Sequence, residues 1–158
     1  MEIRALIQPS SRTAGPAIMA SLLVLVSLSL GCSEWFNKPA KVSELRSLDL
    51  VVGEGAEAVI GKNIVVHYVG WVFDPSKDHN KGTRFDSSRD RGMPFAFNLV
   101  KLAAIDGWIQ GVPGMKVGGV RVLTIPAELA YGDQELRGGL IPANSALVFE
   151  IELLRVRQ

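Results

Sequence analysis

Ile105-Asp106-Gly107-Trp108-Ile109-Gln110-Gly111 is the one stretch in the body of this 158-residue chain that reads as a helix. Ile105, Trp108, Ile109 and Val112 fall at i, i+3, i+4 and i+7, a single apolar stripe, with Asp106 and Gln110 facing away. Gly111 and the pair Pro113-Gly114 stop it early. The segments around it read as strands. Phe95, Phe97 and Leu99 alternate with Ala96 and Asn98, and Leu147, Phe149, Ile151 and Leu153 alternate with Val148, Glu150, Glu152 and Leu154. Arg121 to Ile125 is a third strand, and Leu48 to Val52 is a short apolar one ended by Gly53-Glu54-Gly55. Ile64 to Phe73 is a longer β-rich run whose two faces are both largely apolar, so periodicity does not choose between them. One face holds Ile64, Val66, Tyr68 and Val72; the other holds Val65, His67, Val69, Trp71 and Phe73. Asp74 to Gly82, with Pro75 and Asn80, reads as an exposed loop. Many short strands and one amphipathic helix predict an α+β domain, an antiparallel sheet curling over that helix.

The N-terminal part has a different character. No charge occurs between Arg12 and Glu34, and Ala17 to Leu30 is apolar apart from three serines. A basic start, an apolar run of about 14 residues and a small-residue exit read as a secretory signal peptide. A membrane-spanning helix, the alternative, needs roughly 20 apolar residues. Cys32, the only cysteine, follows in Leu28-Ser29-Leu30-Gly31-Cys32-Ser33. Its placement resembles a bacterial lipobox, in which the cysteine carries the lipid; a lone cysteine has no internal disulfide partner. The expected organisation is 1–31 signal peptide with lipobox, 32–46 tether and 47–158 folded domain. The protein is then expected to be exported and lipid-anchored at a bacterial outer membrane, facing the periplasm or the surface. A soluble periplasmic form is the alternative. Glu2, Arg4 and Arg12 are the only charges in the first 31 residues, which leaves 15 basic and 15 acidic side chains in residues 32–158. That balance offers no electrostatic footprint for nucleic acid.

Three phrases carry the chemistry. Phe85-Asp86-Ser87-Ser88-Arg89-Asp90-Arg91 precedes the helix phrase, and Ala130-Tyr131-Gly132 follows it. Together they offer aromatic rings, an aspartate and a tyrosine hydroxyl, with no recognisable nucleophile–base pair. His67 and His79 with no cysteine pair give a metal few ligands, and Gly114 to Gly119 lacks the spacing of a phosphate loop. No metal or cofactor is expected. Such a site suits a reaction that breaks no covalent bond. On spacing alone Trp108, Phe97, Phe149 and Tyr68 fit a hydrophobic core better than a pocket, and Asp86 with Arg91 reads as a solvated loop pair.

The order of these phrases changes that balance. Val66-His67-Tyr68, Phe85 to Arg91, Gly107-Trp108, Ala130-Tyr131-Gly132 and Leu147-Val148-Phe149 together closely resemble the FKBP-type peptidyl-prolyl cis–trans isomerases, over about Leu48 to Val156. The resemblance implies a five- or six-stranded half-barrel with its pocket between sheet and helix, and acceleration of rotation about X–Pro bonds in exported proteins. It implies Trp108 as the floor under a proline ring, with Tyr68, Phe95, Phe149 and Ile105 as walls and Phe85 and Ile141 completing the lining. Tyr131 is implied to donate to a substrate carbonyl, the Ile105 backbone N–H to bind another, and Asp86 to sit at the rim, held by Arg91 and Tyr68. The implied partners are proline-containing polypeptides, macrolide inhibitors of the family and, through acylated Cys32, a lipid bilayer. Three features depart from the common pattern: Ala103-Ala104 before Ile105, a longer loop from Asp133 to Gly139 with Arg137 where a histidine is often found, and a longer Asp74–Gly82 loop. Two rival readings stand beside the isomerase: a holdase that uses the groove without turnover, and a partner-binding stripe of Val65, Val69, Trp71 and Phe73.

Overall fold

The structure, a computed structural model, describes residues 41–157. The leader, Cys32 and most of the stretch read as a tether lie outside the described residues. Six strands form one antiparallel sheet: β1 (Arg46–Val51), β2 (Asn63–Phe73), β3 (Lys81–Ser87), β4 (Phe95–Asn98), β5 (Val120–Ile125) and β6 (Leu147–Arg157). Their order is β1-β5-β6-β2-β3, with β4 also on β2. The long β2 pairs with β6 from Asn63↔Arg157 to Val72↔Leu147. Its other edge is shared, the first half by β4 and the second half by β3. The only α-helix among the described residues, α1 (Asp106–Gly111), lies against the sheet. The expected α+β architecture is therefore present, as an open six-stranded sheet with one short helix.

Alternation explains which face is covered. Leu147, Phe149, Ile151 and Leu153 of β6, with Leu123 and Ile125 of β5, are buried under α1, whose Trp108 and the following Val112 complete the core. On β2 the choice that periodicity left open falls to Ile64 and Val66, both fully buried, with Tyr68 and Val72 packed on the same cluster. The opposite face is no exposed stripe: Val65 is buried, and His67, Val69, Trp71 and Phe73 are half-buried. Lys81 sits over the Trp71 ring while bonding Glu150 at 2.6 Å. Of the stripe, Val65 is covered and Trp71 is shielded by Lys81.

Six residues are far too few for a helix to persist alone, so α1 exists because the sheet holds it. Gly107 and Gly111 make this possible. A Cβ on Gly107 would lie 2.4 Å from Ile125 Cγ2, and one on Gly111 would lie 2.8 Å from Leu123 Cδ1. The helix thus approaches β5 with backbone rather than side chain. Its C-terminal end is closed by Arg121 of β5, whose Nη1 donates to the carbonyls of Gly111 (2.8 Å) and Pro113 (3.1 Å). The same guanidinium donates to both Asp49 oxygens, at 2.6 and 3.0 Å, tying in β1. This hydrogen bonding holds the Asp49 carboxyl below its ordinary pKa.

Two elements differ from expectation. The run read as a loop to Gly82 ends earlier, because β3 begins at Lys81. Lys81-Gly82-Thr83-Arg84 is polar because it lies at the sheet edge, where neither face needs apolar cover. At the start of the domain, Val42 is buried and Leu45 packs on the core, so the last residues of the stretch read as a tether pack with the domain.

Candidate functional site

The site is built where α1 meets the two longest strands. Ile105 stands at the helix N-terminus in extended conformation, and its carbonyl accepts from the Trp108 N–H at 2.9 Å. That turn packs the indole against the sheet, 4% exposed. Tyr68 of β2 meets the indole edge-on at 5.2 Å and 84°, and Phe149 of β6 at 5.3 Å and 89°. Phe95 of β4 stands 6.2 Å away at 72°. Rings perpendicular to one central ring make a box with a floor and walls, and each such contact adds about 0.5–1.5 kcal/mol beyond buried area. Phe85 closes the next side, edge-on to Phe149 at 5.6 Å. Gly70 makes room for this pair, since a Cβ there would come within 2.8 Å of both rings.

The polar side of the box is a single carboxylate with several claims on it. Tyr68 donates its hydroxyl to Asp86 Oδ2 at 2.6 Å, and the Ser87 N–H donates to Oδ1 at 2.9 Å. Arg91 bonds Oδ1 with one nitrogen and Tyr68 Oη, at 2.9 Å, with the other. Arg137 reaches Oδ2 at 3.4 Å from the far loop. Burial pushes the Asp86 carboxyl up, but the Tyr68 and Arg91 hydrogen bonds and the two arginine charges outweigh it and leave its pKa below the ordinary value. Burial, followed by the bond to Asp86, raises Tyr68. Ser88 fixes this phrase onto β2. Its buried Oγ accepts from the Tyr68 N–H at 2.8 Å and lies 2.9 Å from His67 Nδ1.

A cavity of about 160 Å³ results, lined by Tyr68, Phe85, Asp86, Phe95, Ala104, Ile105, Trp108, Tyr131, Arg137 and Phe149. Eight of the expected site residues are thus brought together around one space, and Arg91 joins them at the rim through Asp86. Ile141 differs: it is 2% exposed, buried in the core, and does not line the cavity. Its backbone pairs with Leu136 instead, so it anchors the loop that carries Arg137. Tyr131 follows a 3-10 turn at Ala127–Leu129 and is half-buried. Burial raises its pKa, and its hydroxyl makes no hydrogen bond among the described residues. The Ile105 N–H is likewise without a partner among them. The cavity therefore offers an aromatic floor and walls, with the Tyr131 hydroxyl and the Ile105 N–H among its unclaimed donors. A larger depression of about 500 Å³ lies on the sheet's other face, between Leu48, Leu50, Val122, His79 and Glu150, and has no aromatic wall.

A family model described as FKBP-type peptidyl-prolyl cis-trans isomerase matches residues 54–154. The chain belongs to this family. The FK506-binding protein of Neisseria meningitidis serogroup A is 49% identical over 108 residues, covering 68% of this chain and 92% of that protein. The FK506-binding protein of Streptomyces anulatus is 44% identical over 114 residues, covering 72% and 87%. Among solved structures, AtFKBP13 superposes with a TM-score of 0.62 at 42% identity, covering 74% of this chain and 96% of that one. FkpA from Escherichia coli gives a TM-score of 0.60 at 34% identity, covering 78% of this chain and 55% of its own. The FKBP-type resemblance stated from the sequence motifs is the family found, and the aromatic cluster expected of an FKBP domain is formed. What the motifs did not give is the second arginine on Asp86. The only signal for it was the departure at Arg137 itself. Ser88 was legible as part of a phrase but not as the peg that holds it.

Proposed function

We propose that this FKBP-type isomerase accelerates X–Pro rotation by seating the proline ring on Trp108, between Tyr68, Phe95 and Phe149. The uncatalysed barrier, about 18–20 kcal/mol for a peptide bond, exists because twisting destroys amide resonance. X–Pro bonds consequently isomerise in tens to hundreds of seconds. Resonance also makes the planar amide dipolar, so water favours it over the twisted form. A cavity walled by rings withdraws that advantage. In this reading Tyr131 and the Ile105 N–H donate to carbonyls flanking the twisting bond, while Asp86, held by Arg91 and Tyr68, shapes the rim. The observation that carries the reading is the box of perpendicular rings beside the unclaimed Tyr131 hydroxyl and Ile105 N–H. FK506, which gives the relatives their name, would occupy the same cavity.

We further propose that the domain works on exported polypeptides beside a membrane, tethered through acylated Cys32. The support is the uncharged apolar run from Ala17 to Leu30 that ends at the chain's only cysteine. The isomerase reading is tested by following cis–trans conversion of short X–Pro peptides with residues 33–158. Turnover abolished by FK506 is expected. A folded fragment that leaves the uncatalysed rate unchanged would make the groove a holdase surface instead.

A further inference from the structure

We infer that Arg137 gives this isomerase a preference for prolyl bonds flanked by an acidic side chain, an inference that rests on the isomerase reading of the cavity. The first observation is position. Arg137 lines the same cavity as Trp108 and Tyr131, at the mouth, and contacts Asp86 across it. Its backbone is firmly set. Leu136 and Ile141 exchange both backbone hydrogen bonds, at 3.0 and 3.2 Å, which closes Arg137 to Leu140 into a tight loop anchored by buried Ile141. Arg137, Gly138 and Gly139 all take positive φ (57°, 63° and 87°) to make that turn. The guanidinium is thus delivered to the rim by a defined hairpin rather than by a loose surface segment.

The second observation is charge. Asp86 is the only carboxylate lining the cavity among the described residues, and two arginines face it. Its oxygens already accept from Tyr68, Arg91 and the Ser87 N–H. Arg137 therefore makes a 3.4 Å ion contact and no hydrogen bond among the described residues. Glu135, in the same loop, makes no ion pair with it among the described residues. Asp86, Arg91 and Arg137 together carry one positive charge in excess, and no hydrogen bond among the described residues uses the Arg137 fork.

A guanidinium in that state matches a carboxylate in both charge and geometry. A peptide with its proline on Trp108 passes its flanking residues over the rim that Arg137 occupies. An acidic neighbour gains an ion pair there, and a basic neighbour meets repulsion. The group is about half exposed, so the gain is moderate rather than large.

The test compares kcat/KM of the full chain, kept in mild detergent, on peptides that differ only in the residue before or after proline: Glu, Gln or Lys. Glu is expected to exceed Lys about fivefold at one of the two positions at about 0.1 M salt. The ratio should shrink toward one at about 1 M salt, where the screening length falls from about 10 Å to about 3 Å. Arg137→Gln should bring the ratio near one, Arg137→Glu should reverse it, and Arg137→Lys should keep part of it. Each ratio is taken within one preparation, so the fraction of folded protein cancels. Equal turnover of all peptides, or a ratio unchanged in Arg137→Gln, would overturn the inference while leaving the isomerase reading intact. No turnover on any peptide would overturn both.

Discussion

Tyr131 presents a hydroxyl to the cavity that no described residue binds, so removing it separates catalysis from stability. Tyr131→Phe is expected to lower kcat/KM about tenfold, the loss of one hydrogen bond of about 1.4 kcal/mol made with substrate. Its thermal midpoint should stay within about 1 °C of the parent, because no intramolecular bond is broken. Trp108 does not offer that separation: it is floor and core at once, and truncation to alanine removes about 3–5 kcal/mol of packing. The groups that face the cavity also fix its response to pH. The folded-state pKa of Asp86 lies below its ordinary value, so its pairing with Tyr68 and the arginines is complete above the ordinary value and lost only as pH falls through the lower folded-state one. Tyr131 is raised, so its proton stays in place until pH exceeds the ordinary tyrosine range. Asp86 is lowered and both cavity tyrosines are raised, so none of the three changes charge between about pH 5 and 9, and a flat kcat/KM profile is expected there. A bell-shaped profile centred near neutrality would show that a titrating residue takes part.

The helix is the element whose sequence and environment pull in opposite directions. In an isolated helix Gly107→Ala would be favourable by about 1 kcal/mol. Here the new methyl would sit 2.4 Å from Ile125 Cγ2, and overpacking of that kind costs about 1–3 kcal/mol. Thermal unfolding should therefore show Gly107→Ala melting several degrees lower; a higher melting point would mean that α1 slides away from β5 without penalty. The apolar stripe from Ile105 to Val112 was legible because it repeats at helical spacing. The reason for the two glycines was not, because a close approach involves β5, which comes later in the chain. The strands divide in the same way. β6 declared itself by alternation, since one of its faces lies under α1 and the other beside solvent. β3 did not, because its first half, Lys81 to Arg84, is polar on both sides and has no pattern to detect. Arg121, read only as the start of a strand, closes the helix and binds Asp49 at a separation of 72 residues. A long-range bond of that kind leaves no local trace.

For the whole molecule, the reading of a membrane-tethered isomerase makes one prediction independent of the cavity. Metabolic labelling with palmitate should mark the wild-type chain and leave Cys32→Ser unlabelled. An unlabelled wild-type chain would sink the anchor and favour the soluble form. The expected gain in residence is substantial, since each acyl CH₂ in the bilayer contributes about 0.8 kcal/mol. At this scale the sequence by itself determined the helix stripe, the alternation of β4 and β6 and the family phrases in their order. Each is a pattern within a few neighbouring residues, where backbone geometry dictates which side chains share a face. The tertiary structure alone decided which face of β2 is core and that Ile141 supports the loop instead of lining the cavity. It alone also showed that Asp86 is shared by two arginines from different loops. Those outcomes depend on which strands become neighbours, and chain topology sets that choice through contacts between residues that are distant in sequence.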